Sequence, residues 1–129
     1  MNRRVVVTGI GLVTSLGIGT EATWAALLAG TSGAGPITHF DAEAFSTRFA
    51  CEVKGFDVTS VMSAKEARRL DTFIHYGVAA ATEALRDCGL EVTDANRDRI
   101  GCVIGSGIGG LPMIEENHSE LLKRGPRRV

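Results

Sequence analysis

The chain has 129 residues, with 14 Lys and Arg against 15 Asp and Glu, and its net charge of −1 leaves no basic footprint for nucleic acid. Hydrophobic residues make up 44% and charged residues 22%, a balance that suits a single globular domain (1–129), and sixteen glycines against three prolines suggest tight turns rather than a disordered linker. No run reaches the roughly 18 uncharged apolar residues of a membrane span, so no membrane partner is expected.

Residues 4–8 (RVVVT) are apolar and β-branched, the mark of a strand buried on both faces. Basic residues precede them as in a secretory leader, but Thr8, Gly9, Gly11, Thr14 and Ser15 interrupt the apolar stretch. Thr20 leads into EATWAALLAG, where Trp24, Leu27 and Leu28 recur at helical spacing and Gly30 offers a C-terminal stop. A loop with Gly33, Gly35 and Pro36 follows, and a short strand fits between Phe49 and Phe56.

The strongest helical pattern runs from Ser63 to Gly89. Ser63 and Glu66 have the spacing of a capping box. Asp71 suits a second start, so two helices with a kink between them are expected. Leu70, Phe73, Ile74, Gly77, Ala81, Ala84, Leu85 and Cys88 form one apolar stripe, and its small residues imply close packing on a flat neighbour. A polar loop with Asp94, Asn96 and Asp98 leads to a second strand at 100–104, a glycine-rich turn, and a last helix after Pro112 (MIEENHSELLKR), ended by Gly125 and Pro126. The order is that of an α/β protein with parallel strands.

Cys51, Cys88 and Cys102 form no C-x-x-C pair, and His39, His75 and His118 stand at no metal-ligand spacing. Reduced thiols in a cytoplasmic protein, with no metal and no cofactor, are the simplest reading. Cys88 on the apolar stripe and Cys102 in a strand read as small core residues. Gly105, Gly107 and Gly110 do satisfy G-x-G-x-x-G, but neither a second strand nor a ribose-binding acid follows. A dinucleotide-binding domain therefore stays as a remote alternative.

The segments VVVTGIGLVTSLG, TWAALLAGTSG, SAKEARRLDTFIHYGVAAATEAL and IGSGIGG followed by IEENH together closely resemble the opening of bacterial β-ketoacyl-[acyl-carrier-protein] synthase II enzymes. The resemblance runs from Arg4 to Val129. It implies part of a thiolase fold, a homodimer, and an acyltransferase that condenses an enzyme-bound acyl group with malonyl-carrier. The catalytic cysteine and two histidines of that family match nothing here, so this chain alone is expected to be inactive. Its exposed strands are also expected to leave it without a cooperative fold of its own.

Two functional features of the family fall on residues of this chain. Ile108, inside GSGIGG, matches the residue that lines the acyl pocket and moves aside for longer chains. Lys65, Arg68 and Arg69, with Arg127 and Arg128, match a docking patch for acyl carrier protein. The first three share a helical face at i, i+3 and i+4. At a helix start the macrodipole disfavours cations by about 0.3–1 kcal/mol each, which asks for an acidic partner. A non-catalytic fragment that binds carrier protein, or serves as a dimer partner, is the alternative reading.

Overall fold

Residues 13–18 turn back on themselves because Thr14 serves its own turn: its hydroxyl accepts the Leu16 and Gly17 N–H groups at 3.1 and 3.3 Å. The computed structural model, which describes residues 3–129, pairs β1 (Val13–Thr14) antiparallel with β2 (Gly17–Ile18) there. The chain divides into two units. The first is Met1–Asp57 with Ala79–Glu91, the second Val58–Val78 with Val92–Val129.

In the first unit, α1 (Thr20–Leu28) begins at Gly19, whose φ of 94° is left-handed and which has no side chain to cap the helix. Gly30, at φ 67°, lets the chain leave α1, and the Thr31 N–H closes on the Ala26 carbonyl at 3.0 Å. The inward face of α1 is polar: Thr23 is buried and donates to the Gly17 carbonyl at 3.3 Å. Trp24, Leu27 and Leu28, by contrast, lie exposed. Helical spacing located α1 but not the face that covers it. A two-residue ladder, β3 (Gly35–Pro36) with β4 (Phe49–Ala50), places a strand within the expected 49–56 stretch. Glu52 ties this hairpin, accepting the Thr38 hydroxyl at 2.7 Å and the Thr38 N–H at 2.9 Å.

The expected long helical stretch is split as its caps suggest. In α2 (Ala64–Ala67) Ser63 and Glu66 exchange the capping-box bonds, at 3.1 and 3.3 Å. The chain then kinks, and α3 (Thr72–Cys88) starts after Asp71. Residues 72–78 of α3 belong to the second unit and 79–88 to the first.

Within the first unit the neighbour of α3 is the backbone of residues 9–11. A Cβ on Gly9 would strike the Ala84 carbonyl and come within 2.8 Å of Cys88, and one on Gly11 would strike the Ala80 carbonyl. Small residues on both partners permit this contact. Within the second unit Ile104 lies over Gly77, where an added Cβ would touch it at 3.8 Å. The last helix, α4 (Leu111–Arg124), carries Pro112 in its first turn and ends at Gly125, φ 77°, before a 3-10 turn at Pro126–Arg128.

The parallel sheet expected from residues 4–8 and 100–104 is absent among the described residues, where both ladders are antiparallel. The reason is physical. An all-apolar strand forms when neighbours complete its ladder and cover both faces, and here Val5 is 95% and Val103 97% exposed. Cys102 is exposed as well and is no core residue. Ala79 and Thr23 are the buried residues among those described. The coarser α/β description stands: helices with short strands. No helix is long and apolar enough to cross a membrane among the described residues.

Candidate functional site

The glycine-rich turn is built in the second unit, between the extended residues 100–104 and α4. Ser106 accepts the Gly109 N–H on its hydroxyl at 3.1 Å, closing the turn over Ile108, whose side chain is 73% exposed. Gly109, at φ 87°, lies over the Phe73 ring, 3.6 Å from where its Cβ would stand. The Gly110 Cβ position falls on the Asp71 carboxylate. Gly105 and Gly107 meet nothing within 4 Å. The turn is therefore clamped at its second half and open at its first.

Asp71 is the residue whose reach sequence reasoning missed. Its Oδ1 accepts the N–H of its neighbour Thr72, the first residue of α3, at 2.6 Å. Its Oδ2 accepts the Met113 N–H at 3.2 Å, at the start of α4, 42 residues away. Gly110, the N-cap of α4, has no side chain for that purpose, and the first turn of α4 holds no acid. No local pattern signals a cap supplied from another helix. The arrangement also speaks against a dinucleotide site. A pyrophosphate needs the N–H groups of the helix start after the glycines, and a carboxylate already accepts one of them.

Lys65, Arg68 and Arg69 are exposed and make no ion pair among the described residues. Their electrostatic setting differs from the expected one. The helix that carries Lys65 ends at Ala67 with Arg68 as its C-cap, so the macrodipole favours rather than opposes Arg68. What distinguishes the patch is accessible, unneutralised charge. Arg68 borders a cleft of about 210 Å³ with Asp71, Thr72, Met113 and Glu116. Arg69 borders one of about 320 Å³ with Phe73, Gly110 and Ile114. Arg127 and Arg128 stand exposed on the 3-10 turn after α4 and line neither cleft, and Ile108 lines neither.

The thiols and imidazoles do not converge. Cys88 sits at the C-terminal end of α3 with its Sγ donating to the Leu85 carbonyl at 3.3 Å, while Cys51 and Cys102 are exposed. A nucleophilic thiolate needs a helix start or a cation beside it, and none of the three stands at a helix start. His75 holds the Ala67 carbonyl at 3.1 Å, and His39 lies 3.9 Å from Glu52. Among the described residues no group of three His, Cys, Asp or Glu could hold a metal ion.

Comparison with known proteins adds to this geometry. The model of the β-ketoacyl synthase N-terminal domain matches residues 2–129. The 3-oxoacyl-[acyl-carrier-protein] synthase 2 of Vibrio harveyi is 57% identical over 127 residues, covering 98% of this chain and 31% of that protein. That of Coxiella burnetii is 48% identical over 127 residues, with the same coverage of each chain. Among solved structures, the ishigamide ketosynthase/chain length factor superposes with a TM-score of 0.77 at 35% identity, covering 97% of this chain and 31% of that one. The chain belongs to the β-ketoacyl synthase N-terminal domain family. It spans about a third of the length of the relatives it matches.

Proposed function

We propose that this chain is the N-terminal part of a cytoplasmic, homodimeric β-ketoacyl-[acyl-carrier-protein] synthase II with a thiolase fold. The observation that carries the reading is 57% identity to a synthase 2 across 98% of the chain. The whole enzyme takes an acyl group from carrier protein onto a cysteine thiolate. Malonyl-carrier then loses CO2, its carbanion attacks the acyl carbon, a C–C bond forms and the C–S bond to cysteine breaks. The nucleophile and the two histidines that assist it lie in the part of the synthase not represented here. The 129 residues therefore supply recognition rather than chemistry.

Two recognition roles fall to named residues. Lys65, Arg68, Arg69, Arg127 and Arg128 dock the acidic carrier protein, steering its encounter in a salt-dependent way. Ile108 gates the acyl pocket, swinging from a turn that is open on its Gly107 side and seated on Phe73 at Gly109. The exposed β-branched residues at 5–7 and 103–104 fit strands that pair with, and are covered by, the rest of the synthase.

The test is a chimera. These residues replace the matching 127 residues of the Vibrio harveyi synthase, and elongation of acyl-carrier primers by malonyl-carrier is measured. The chimera elongates primers, the 129-residue chain alone does not, and Ile108→Phe shortens the longest primer accepted. A folded chimera without condensing activity refutes the enzyme reading. An active one that leaves primer length unchanged in Ile108→Phe refutes the gate.

A further inference from the structure

Two helices of the second unit begin at one carboxylate. Asp71 Oδ1 accepts the Thr72 N–H of α3, and Oδ2 accepts the Met113 N–H of α4. Each helix start carries about half a positive charge, so a single anion between two of them attracts both. Gly110 makes this approach possible, since any side chain there would occupy the place of the carboxylate. On the next residue, Gly109 is seated on Phe73, itself the second residue of α3. The second half of the GSGIGG turn is thus fastened to α3, while Gly105 and Gly107 have open space around them. Ile108 stands one residue before the fastened part.

We infer that Asp71 is a positioning residue for the acyl gate: by holding the start of α4 it sets the resting orientation of Ile108, and with it the primer length the synthase accepts. This rests on the reading of Ile108 as a gate. The clamp favours the resting orientation, so moving Ile108 aside for a long primer strains the Asp71–Met113 contact. Releasing the contact makes that movement easier. The effect falls on long primers and spares short ones, which never displace the side chain. A residue needed only for folding would instead lower turnover of every primer alike.

The experiment uses the chimera described above and reads kcat/KM for a long and a short saturated acyl-carrier primer. Asp71→Ala raises the long-to-short ratio about fivefold, the scale of one hydrogen bond to a charged group after solvent screening, and leaves the KM for malonyl-carrier unchanged. Asp71→Asn, which keeps one oxygen acceptor, gives an intermediate ratio. Gly110→Ala displaces the carboxylate by volume and raises the ratio in the same direction, so the idea remains testable even if Asp71→Ala does not fold. A ratio within twofold of the parent in folded variants, or equal losses for both primers, overturns the assignment. The parent chimera and its Ile108→Phe variant separate the failures. If Ile108→Phe alters primer length and the Asp71 and Gly110 variants do not, the gate stands and the positioning role falls.

Discussion

Removing the Glu83 carboxylate should loosen residues 10–20 from α3 without disturbing the second unit. Gly19 at the N-cap of α1 has no side chain, and Glu83 caps the helix from α3 instead. Its Oε1 accepts the Thr20 N–H at 2.6 Å, and its Oε2 accepts the Leu12 N–H at 2.9 Å. One turn along α3, Asp87 accepts the Ile10 N–H at 2.9 Å. A hydrogen bond to a charged group contributes about 1.5–3 kcal/mol net. Glu83 is only half-buried, and solvent screening reduces each of its two backbone bonds to about 1 kcal/mol. Glu83→Ala therefore costs about 2 kcal/mol locally, a rise of about 30-fold in the opening of this segment.

Hydrogen exchange in the chimera reads that opening directly. The Leu12 and Thr20 amides should exchange faster in Glu83→Ala by about that factor, with amides of α4 unchanged. Protection at Leu12 and Thr20 equal to the parent's would refute the reasoning. The pH dependence has a definite sign. The Thr20 N–H holds the Glu83 carboxyl below its ordinary value of 4.5; desolvation by burial is the next influence and opposes it, and the Leu12 N–H adds to the lowering. Its stabilisation is complete above pH 4.5 and is lost as pH falls through the lowered pKa. The difference between parent and Glu83→Gln, corrected for intrinsic exchange rates, closes over the same range.

Reversing charge in the docking patch (Arg68→Glu with Arg69→Glu) should lower kcat/KM for carrier-borne substrate about tenfold at low salt. The loss shrinks as salt rises, and an unchanged value at low salt refutes the docking role. Gly11→Val places a branched side chain on the Ala80 carbonyl and should destabilise the chimera by about 1–3 kcal/mol in thermal unfolding. A melting temperature unchanged from the parent's in Gly11→Val counts against the close approach of residues 9–11 to α3.

The parts of this chain legible without coordinates are those whose cause is local. The capping box of Ser63 and Glu66 spans three residues and reads directly, as do the kink before Asp71, the Pro112 start of α4 and the Gly125 stop. The family also reads from sequence, because four separated motifs keep their order. Three things did not, and each depends on distance along the chain. The apolar runs at 5–7 and 103–104 state that a strand wants partners, yet ladder partners come from elsewhere, and none is present among the described residues. The covered face of α1 carries Thr23 rather than Trp24, because burial follows what packs on a helix rather than its own periodicity.

The caps of α1 and α4 were hidden for the same reason. Both helices begin at a glycine, a residue that offers no capping oxygen, so their sequences look uncapped. Tertiary structure supplies the oxygen from Glu83, 63 residues from Thr20, and from Asp71, 42 residues from Met113. Sequence alone determined which segments are helical and which family they belong to, because propensity and motif are properties of neighbouring residues. Only the folded chain decided which carboxylate holds which helix, because a hydrogen bond depends on proximity in space and is indifferent to separation in sequence.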